Sequence, residues 1–124
     1  MATENFLSRN ENGVIVETVN LIKATNEEAE EFKKILLKHI NEGNTNLIID
    51  LQRCIFVDST FLSALLVAQK AAMGESGGLR LLSPKNEVAE VLEATGMKRV
   101  FDIFSGIEEA IASFNSDGQK PAVG

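Results

Sequence analysis

Leu47-Ile48-Ile49-Asp50-Leu51, followed after a short connector by Phe56-Val57-Asp58-Ser59-Thr60-Phe61-Leu62, decides the fold class. The first run is short and almost continuously apolar. That is the pattern of a strand covered by helices, so it takes a central position in a sheet. The second passes from an apolar segment through three small polar residues into a helical pattern that continues to about Met73. Asp58 suits the N-cap position, which puts Ser59 and Thr60 in the first helical turn.

Towards the N-terminus, Val14-Ile15-Val16-Glu17-Thr18-Val19 is β-branched and broadly alternating, and it follows the turn signal Asn10-Glu11-Asn12-Gly13. A strand is expected there, with Phe6-Leu7-Ser8 as a short hairpin partner. Thr25 and Glu28 have the spacing of a capping box opening a helix. Glutamates then crowd its first turns and lysines its later ones, in keeping with the helix dipole. Phe32, Ile35, Leu36 and Ile40 form its apolar stripe, and Gly43 ends it.

Beyond the second helix, Gly74 to Gly78 makes a turn before a strand at Leu79-Arg80-Leu81-Leu82. Ser83-Pro84 is a helix-start signal, with Ser at N-cap and Pro at N1. Val88, Val91 and Leu92 line that helix until Gly96. A brief strand is expected from Val100 to Ile103. Ser105-Gly106-Ile107-Glu108 then resembles a second capping box, opening a helix with the stripe Ile107, Ala110, Ile111 and Phe114. From Asn115 the apolar periodicity stops, and residues 115–124 read as a flexible tail. The resulting order, β-β-α-β-α-β-α-β-α, needs crossover connections and predicts an α/β domain whose mixed, mostly parallel sheet carries packed helices.

At 124 residues the chain fits one domain, and its net charge of −6 with no Lys/Arg cluster argues against nucleic acid or an anionic membrane as partner. No apolar run approaches the roughly 20 residues of a membrane span. Met1 to Phe6 also lacks the basic region and apolar core of a signal peptide, so a soluble, cytoplasmic protein is expected. Cys54, in the apolar run to Val57, reads as a buried hydrophobe. His39 has no second His or Cys to complete a zinc set and reads as a helix-surface or boundary residue.

Few chemistries fit the Asp58-Ser59 junction. A nucleophilic Ser59 lacks the Gly-x-Ser-x-Gly elbow, and His39 is the only imidazole. Gly74-Glu75-Ser76-Gly77-Gly78 lacks the lysine and following helix of a phosphate loop. The remaining signal is the helix itself. Leu62, Leu65, Leu66 and Met73 form one stripe, and Phe61, Ala64, Ala68, Ala71 and Ala72 widen it, leaving Ser63, Gln69 and Lys70 as its polar positions. Such a helix is either buried on two sides or keeps part of its apolar face as a docking surface.

Residues 47–51, the connector and Val57-Asp58-Ser59-Thr60 with Leu62, then Gly78-Leu79-Arg80-Leu81 and the stretch from Ser83-Pro84 through Leu92, Gly96 and Met97, together resemble a STAS domain. That family includes the bacterial anti-sigma factor antagonists, and the resemblance spans about residues 14–114. It implies a single STAS-like domain over residues 1–114. By position Ser59 corresponds to the serine that a partner kinase phosphorylates, with Thr60 as the adjacent alternative and Asp58 as the acidic neighbour. Asp58, Ser59, Thr60, Phe61 and Leu62 correspond to the partner-binding segment.

The implied function is that of an antagonist which, unphosphorylated, binds an anti-sigma factor/serine kinase. Phosphorylation would abolish that binding and a phosphoserine phosphatase would restore it. No catalytic residue, metal or cofactor is implied. A non-switching scaffold, such as a subunit docking on a membrane transporter, is the alternative. Three departures stand out: Phe61 and Ser63 replace common glycines, implying a bulkier rim at the phosphoacceptor, and Asn20-Leu21-Ile22-Lys23-Ala24-Thr25 has no counterpart of the family's Gly-Glu/Asp-Leu-Asp-like segment.

Overall fold

Asn12 and Gly13 both take positive φ, 55° and 88°, the backbone that an Asn-Gly hairpin turn requires. The computed structural model describes residues 4–119. In chain order the elements are β1 (Phe6–Glu11), β2 (Val14–Val19), β3 (Lys23–Ala24), α1 (Asn26–Asn41), β4 (Asn46–Asp50) and β5 (Phe56–Val57). They continue with α2 (Ser59–Gly74), β6 (Gly78–Leu82), α3 (Asn86–Ala94), a 3-10 turn (Met97–Arg99), β7 (Asp102–Phe104) and α4 (Ile107–Gln119).

Five strands form one sheet in the order β1-β2-β4-β6-β7. The hairpin β1-β2 is antiparallel and every other neighbour is parallel, so the expected mixed sheet with residues 47–51 near its middle is what forms. Successive residues of β4 point to opposite faces. Leu47 and Ile49 join Phe32, Leu36, Leu62 and Leu65 in the larger core, whereas Ile48 joins Val14, Val16, Leu82, Ala110 and Phe114 in a smaller one under α4. Helices cover both faces, which is why this strand is apolar at consecutive positions. Burying each such side chain contributes about 1.5–3 kcal/mol.

Thr25 caps α1 as its spacing predicts. Glu28 Oε1 accepts the Thr25 N–H at 2.9 Å, and the Thr25 hydroxyl accepts from Glu27 N–H at 3.3 Å. The glycine cluster is a turn between α2 and β6, and Gly77 is required there: a Cβ would lie 2.0 Å from the Thr45 carbonyl oxygen.

The structure corrects several local expectations. Strand β1 extends to Glu11 because pairing with β2 continues up to the turn. Two strands not expected, β3 and β5, form a separate parallel pair. Ser83 is not the cap of α3. It adopts a positive φ of 51°, and its N–H and hydroxyl donate to the carbonyls of Phe104 and Ser105, which ties the end of β6 to the end of β7. Lys85 is the N-cap instead, with no side-chain cap bond.

The last strand begins at Asp102 rather than Val100, because a 3-10 turn occupies Met97–Arg99. The final helix starts at Ile107, one residue later than a Ser105 cap would set, and runs to Gln119. Of the tail expected at 115–124, residues 115–119 therefore fall within α4, and residues 120–124 lie outside the described residues. Met73, which belongs to the apolar stripe of α2 in the sequence, is 61% exposed. The buried face of α2 is made by Phe61, Leu62, Ala64, Leu65, Ala68, Gln69 and Ala72.

Candidate functional site

The N-termini of α1 and α2 meet at one carboxylate. Asp58 has extended backbone angles, and its Oδ1 accepts the Phe61 N–H at 2.8 Å, the bond of an N-cap. Its Oδ2 accepts the N–H of Asn26, the first residue of α1, also at 2.8 Å. The Asp58 N–H donates back to the Ala24 carbonyl at 3.2 Å, continuing the β3-β5 pairing into the junction. One half-buried side chain thus holds two helix starts and the short strand pair together.

Ser59 and Thr60 follow as the first two residues of α2, and both are exposed. Asp58 caps the third amide of the helix. The N–H groups of Ser59 and Thr60 therefore point outward at the positive end of the helix dipole. Ser59 is thus an exposed residue at the positive end of the helix dipole.

Phe61 and Leu62 are buried completely. Both side chains face the core, so Phe61 adds no bulk to the surface at Ser59. The ring of Phe61 turns inward and stacks on Phe32, with centroids 5.4 Å apart and planes 7° from parallel. Phe32 in turn stacks on Phe6 at 4.2 Å. A column of three rings thus runs from β1 through α1 to α2 and anchors the first turn of α2 from beneath. Beside Thr60, a groove of about 160 Å³ opens between the two helices, lined by Ala29, Glu30, Lys33, Ser63, Ala64 and Val67. The Lys33–Glu30 ion pair, at 3.2 Å, lies on its rim.

The chain's one imidazole, His39, is remote from Ser59. His39 lies thirteen residues beyond Asn26 along α1, about 20 Å away at 1.5 Å per residue. It instead meets Glu17, with Nε2 2.7 Å from Oε2. The Ser8 hydroxyl donates to the same Glu17 oxygen and is 3.5 Å from the same ring nitrogen. A hydrolytic triad needs carboxylate and hydroxyl on opposite nitrogens of the imidazole, so Ser8, His39 and Glu17 do not form one. Among the described residues no group of three or more His, Cys, Asp or Glu side chains could hold a metal ion.

Cys54 is buried, and burial, followed by the nearby Asp50 charge, pushes its thiol up to about 11. It is an inert core residue, as its apolar setting suggests.

A STAS domain family model matches residues 9–110. The chain belongs to the STAS domain family. Comparison with the sequences of curated proteins returns no match. Among solved structures, this STAS domain is similar to a Thermotoga maritima protein described as an anti-sigma factor antagonist, with 25% identity, a TM-score of 0.80, and coverage of 89% of this chain and 94% of that one. It also shares its fold with the anti-sigma factor antagonist SpoIIAA of Bacillus. The unphosphorylated form gives 21% identity and a TM-score of 0.76 over 90% of this chain and 96% of that one; the phosphorylated form gives a TM-score of 0.66 over 87% and 97%. A sulfate transporter family protein of Wolinella succinogenes shares the fold too, at 19% identity and a TM-score of 0.74 over 89% and 91%.

Three features of this STAS domain escape sequence reasoning. Glu17 reads as the polar face of an alternating strand, yet it shares the covered face of β2 with Ile15 and Val19 and is fully buried. Gln69 is buried on α2 and donates its side-chain amide to the Val100 carbonyl at 2.6 Å. Ile22, Ile55 and Phe56 are exposed around β3 and β5. The missed signal for the last group was the apolar Leu21-Ile22 pair outside any long periodic segment.

Proposed function

We propose that this STAS domain is an anti-sigma factor antagonist, a protein-binding module with no catalytic role of its own, switched by phosphorylation of Ser59. The observation that carries the reading is the exposed Ser59 at the first position of α2, next to the capping Asp58 and in the position that the family motif gives to the phosphoacceptor. Thr60 is the alternative acceptor. The partner would be an anti-sigma factor/serine kinase and the reversing enzyme a phosphoserine phosphatase, all in the cytoplasm.

Phosphorylation adds about −1.5 to −2 charges and three acceptor oxygens. At the start of α2 the outward amides and the dipole compensate that charge inside the domain, so the fold stays intact. Nothing compensates it against an acidic or apolar partner surface, where it is repelled or must be desolvated. A loss of about 3 kcal/mol of binding weakens affinity more than a hundredfold, which is enough for a switch. Partner contact falls to Asp58, Ser59 and Thr60, with Phe61 and Leu62 supporting them from the core.

The test is to recover the protein from its native cell, map phosphate by mass spectrometry and identify co-purifying proteins. Phosphate on Ser59 or Thr60, with a sigma-regulating kinase bound to the unmodified form, is the expected result. Phosphate confined to other residues would overturn the assignment. The Wolinella structure supports a second reading, a non-switching STAS scaffold that docks on a transporter. Partner binding that survives stoichiometric phosphorylation would favour it.

A further inference from the structure

Of the seven large apolar side chains exposed among the described residues, three are gathered at one place: Ile22 (60%), Ile55 (43%) and Phe56 (44%). The backbone holds them together. The N–H groups of Ile55 and Phe56 both reach the Ile22 carbonyl, at 2.8 and 3.3 Å, and Phe56 is the register partner of Lys23 in the β3-β5 pair. This tip leads directly through Val57 and Asp58 to Ser59. Beside it lies a cleft of about 430 Å³ lined by Asn20, Leu21, Ile22, Gln52, Arg53 and Lys85.

The whole chain carries −6, yet the exposed charged side chains flanking the tip are cationic. Lys23, Arg53 and Lys85 flank the apolar residues, and none of them takes part in the ion pairs found among the described residues. Arg53 hydrogen-bonds the side-chain oxygen of Asn20. The nearby carboxylates keep their charge but are only partly exposed and turn to backbone amides: Asp58 accepts those of Phe61 and Asn26, Asp50 that of Gln52, and Glu28 that of Thr25. The cations are left facing solvent around an apolar centre. Resting on the proposed partner-binding role of the Ser59 region, we infer that the tip formed by Ile22, Ile55 and Phe56, with Lys23, Arg53 and Lys85, docks a protein segment in which apolar side chains are flanked by Asp or Glu.

Apolar burial supplies affinity at such a surface, and the charges supply orientation and rate. The same arrangement gives the phosphate on Ser59 a second effect. It repels the carboxylates of the docking segment and offsets the attraction of the three cations, so phosphorylation and salt both weaken docking.

The test is selection of a random dodecapeptide library on the intact, unphosphorylated chain, with an Ile22→Ser/Phe56→Ser variant as counter-target. The selected peptides are then titrated onto the isotopically labelled protein. Expected are peptides that combine Leu, Ile or Phe with Asp or Glu, shift the amide signals of Ile22, Arg53, Phe56 and Lys85, and lose about tenfold or more in affinity for Arg53→Glu/Lys85→Glu. Basic or uncharged consensus peptides, or equal binding to the charge-reversed variant, overturn the inference. So does binding to phosphatidylserine–phosphatidylcholine vesicles in place of peptides, which would make the tip a lipid contact. Failure of the phosphorylation reading is distinct: the peptides would still bind at the tip, but Ser59→Glu would leave their affinity unchanged.

Discussion

Asp58 on α2 accepts the backbone N–H of Asn26 on α1 at 2.8 Å while its other oxygen caps Phe61 at the same distance. The carboxylate that marks the proposed switch is therefore also a fastener between two helices. Asp58→Ala removes both charge-assisted bonds and is expected to lower stability by about 2–3 kcal/mol. Asp58→Asn keeps a capping oxygen but faces the Asn26 amide with either an acceptor or a donor, and should cost about half as much. Urea denaturation of the two variants measures this; equal, small losses would show that the link to α1 carries no energy.

Ser59→Asp tests charge at the switch without a kinase. An acidic residue in the first turn of a helix is favourable by about 0.3–1 kcal/mol, so the variant should unfold at the same temperature as the wild type or slightly above it. Its binding to the partner should fall more than about a hundredfold. Normal binding by a folded Ser59→Asp protein would remove Ser59 from the mechanism.

Phe61→Gly restores the residue common in the family at this position. In this chain the ring fills the core against Phe32, and its loss leaves a cavity as well as a glycine in the first turn. Destabilisation of about 3–5 kcal/mol is expected, read from the shift in urea midpoint. A loss below about 1 kcal/mol would mean that the aromatic column is not what anchors α2.

His39→Ala leaves Glu17 buried with neither oxygen paired to a ring, because Oε1 already has no hydrogen-bond partner. Removing the ring's hydrogen bond from this buried carboxyl group costs about 1–3 kcal/mol. Replacing both residues by leucine should recover most of that loss, since no buried polar group is then left without a partner. A double-mutant cycle by chemical denaturation checks the coupling, and additive single effects would refute it.

Cys54 gives a pH dependence whose sign follows from its thiol. The folded group is pushed from 9.0 up to about 11, so above pH 9 the unfolded chain loses this proton before the folded one does. The unfolded state then binds fewer protons, and stability must fall as pH rises from about 9 to 11. Cys54→Ala should flatten that part of the alkaline profile. The native thiol should also resist alkylation at pH 8 and react once the chain is unfolded; rapid labelling of native protein would contradict its burial.

Much of the fold is legible because local rules agree with the tertiary outcome. The Asn12-Gly13 turn, the Thr25–Glu28 box and the Asp58 cap each depend on residues within a few positions, and each forms as its spacing implies. Ser83-Pro84 fails as a helix start for the opposite reason. Its polar groups bind Phe104, the last residue of β7, and Ser105 just after it, twenty-one and twenty-two residues later. No local window contains that competitor.

The site divides in the same way. The positions of Asp58, Ser59 and Thr60 at the start of α2 follow from the change from an apolar run to helical periodicity. The inward turn of Phe61 does not, because the first turn of a helix has both a covered and an open side, and only the packing of α1 and β1 decides which is which. Burial of Glu17 depends likewise on a partner, His39, twenty-two residues away. The clustering of Ile22, Ile55 and Phe56 depends on pairing between strands of two residues, too short to carry a period.

By itself, then, the sequence determined the α/β class, the caps of α1 and α2 and an exposed serine at a helix start, since these rest on hydrophobic period and short-range hydrogen bonding. The tertiary structure decided which residues around that serine face a partner and which face the core. It did so because burial is a property of what packs from elsewhere in the chain: Phe32 covers Phe61 and α1 covers Glu17, whereas Phe56 is left 44% exposed.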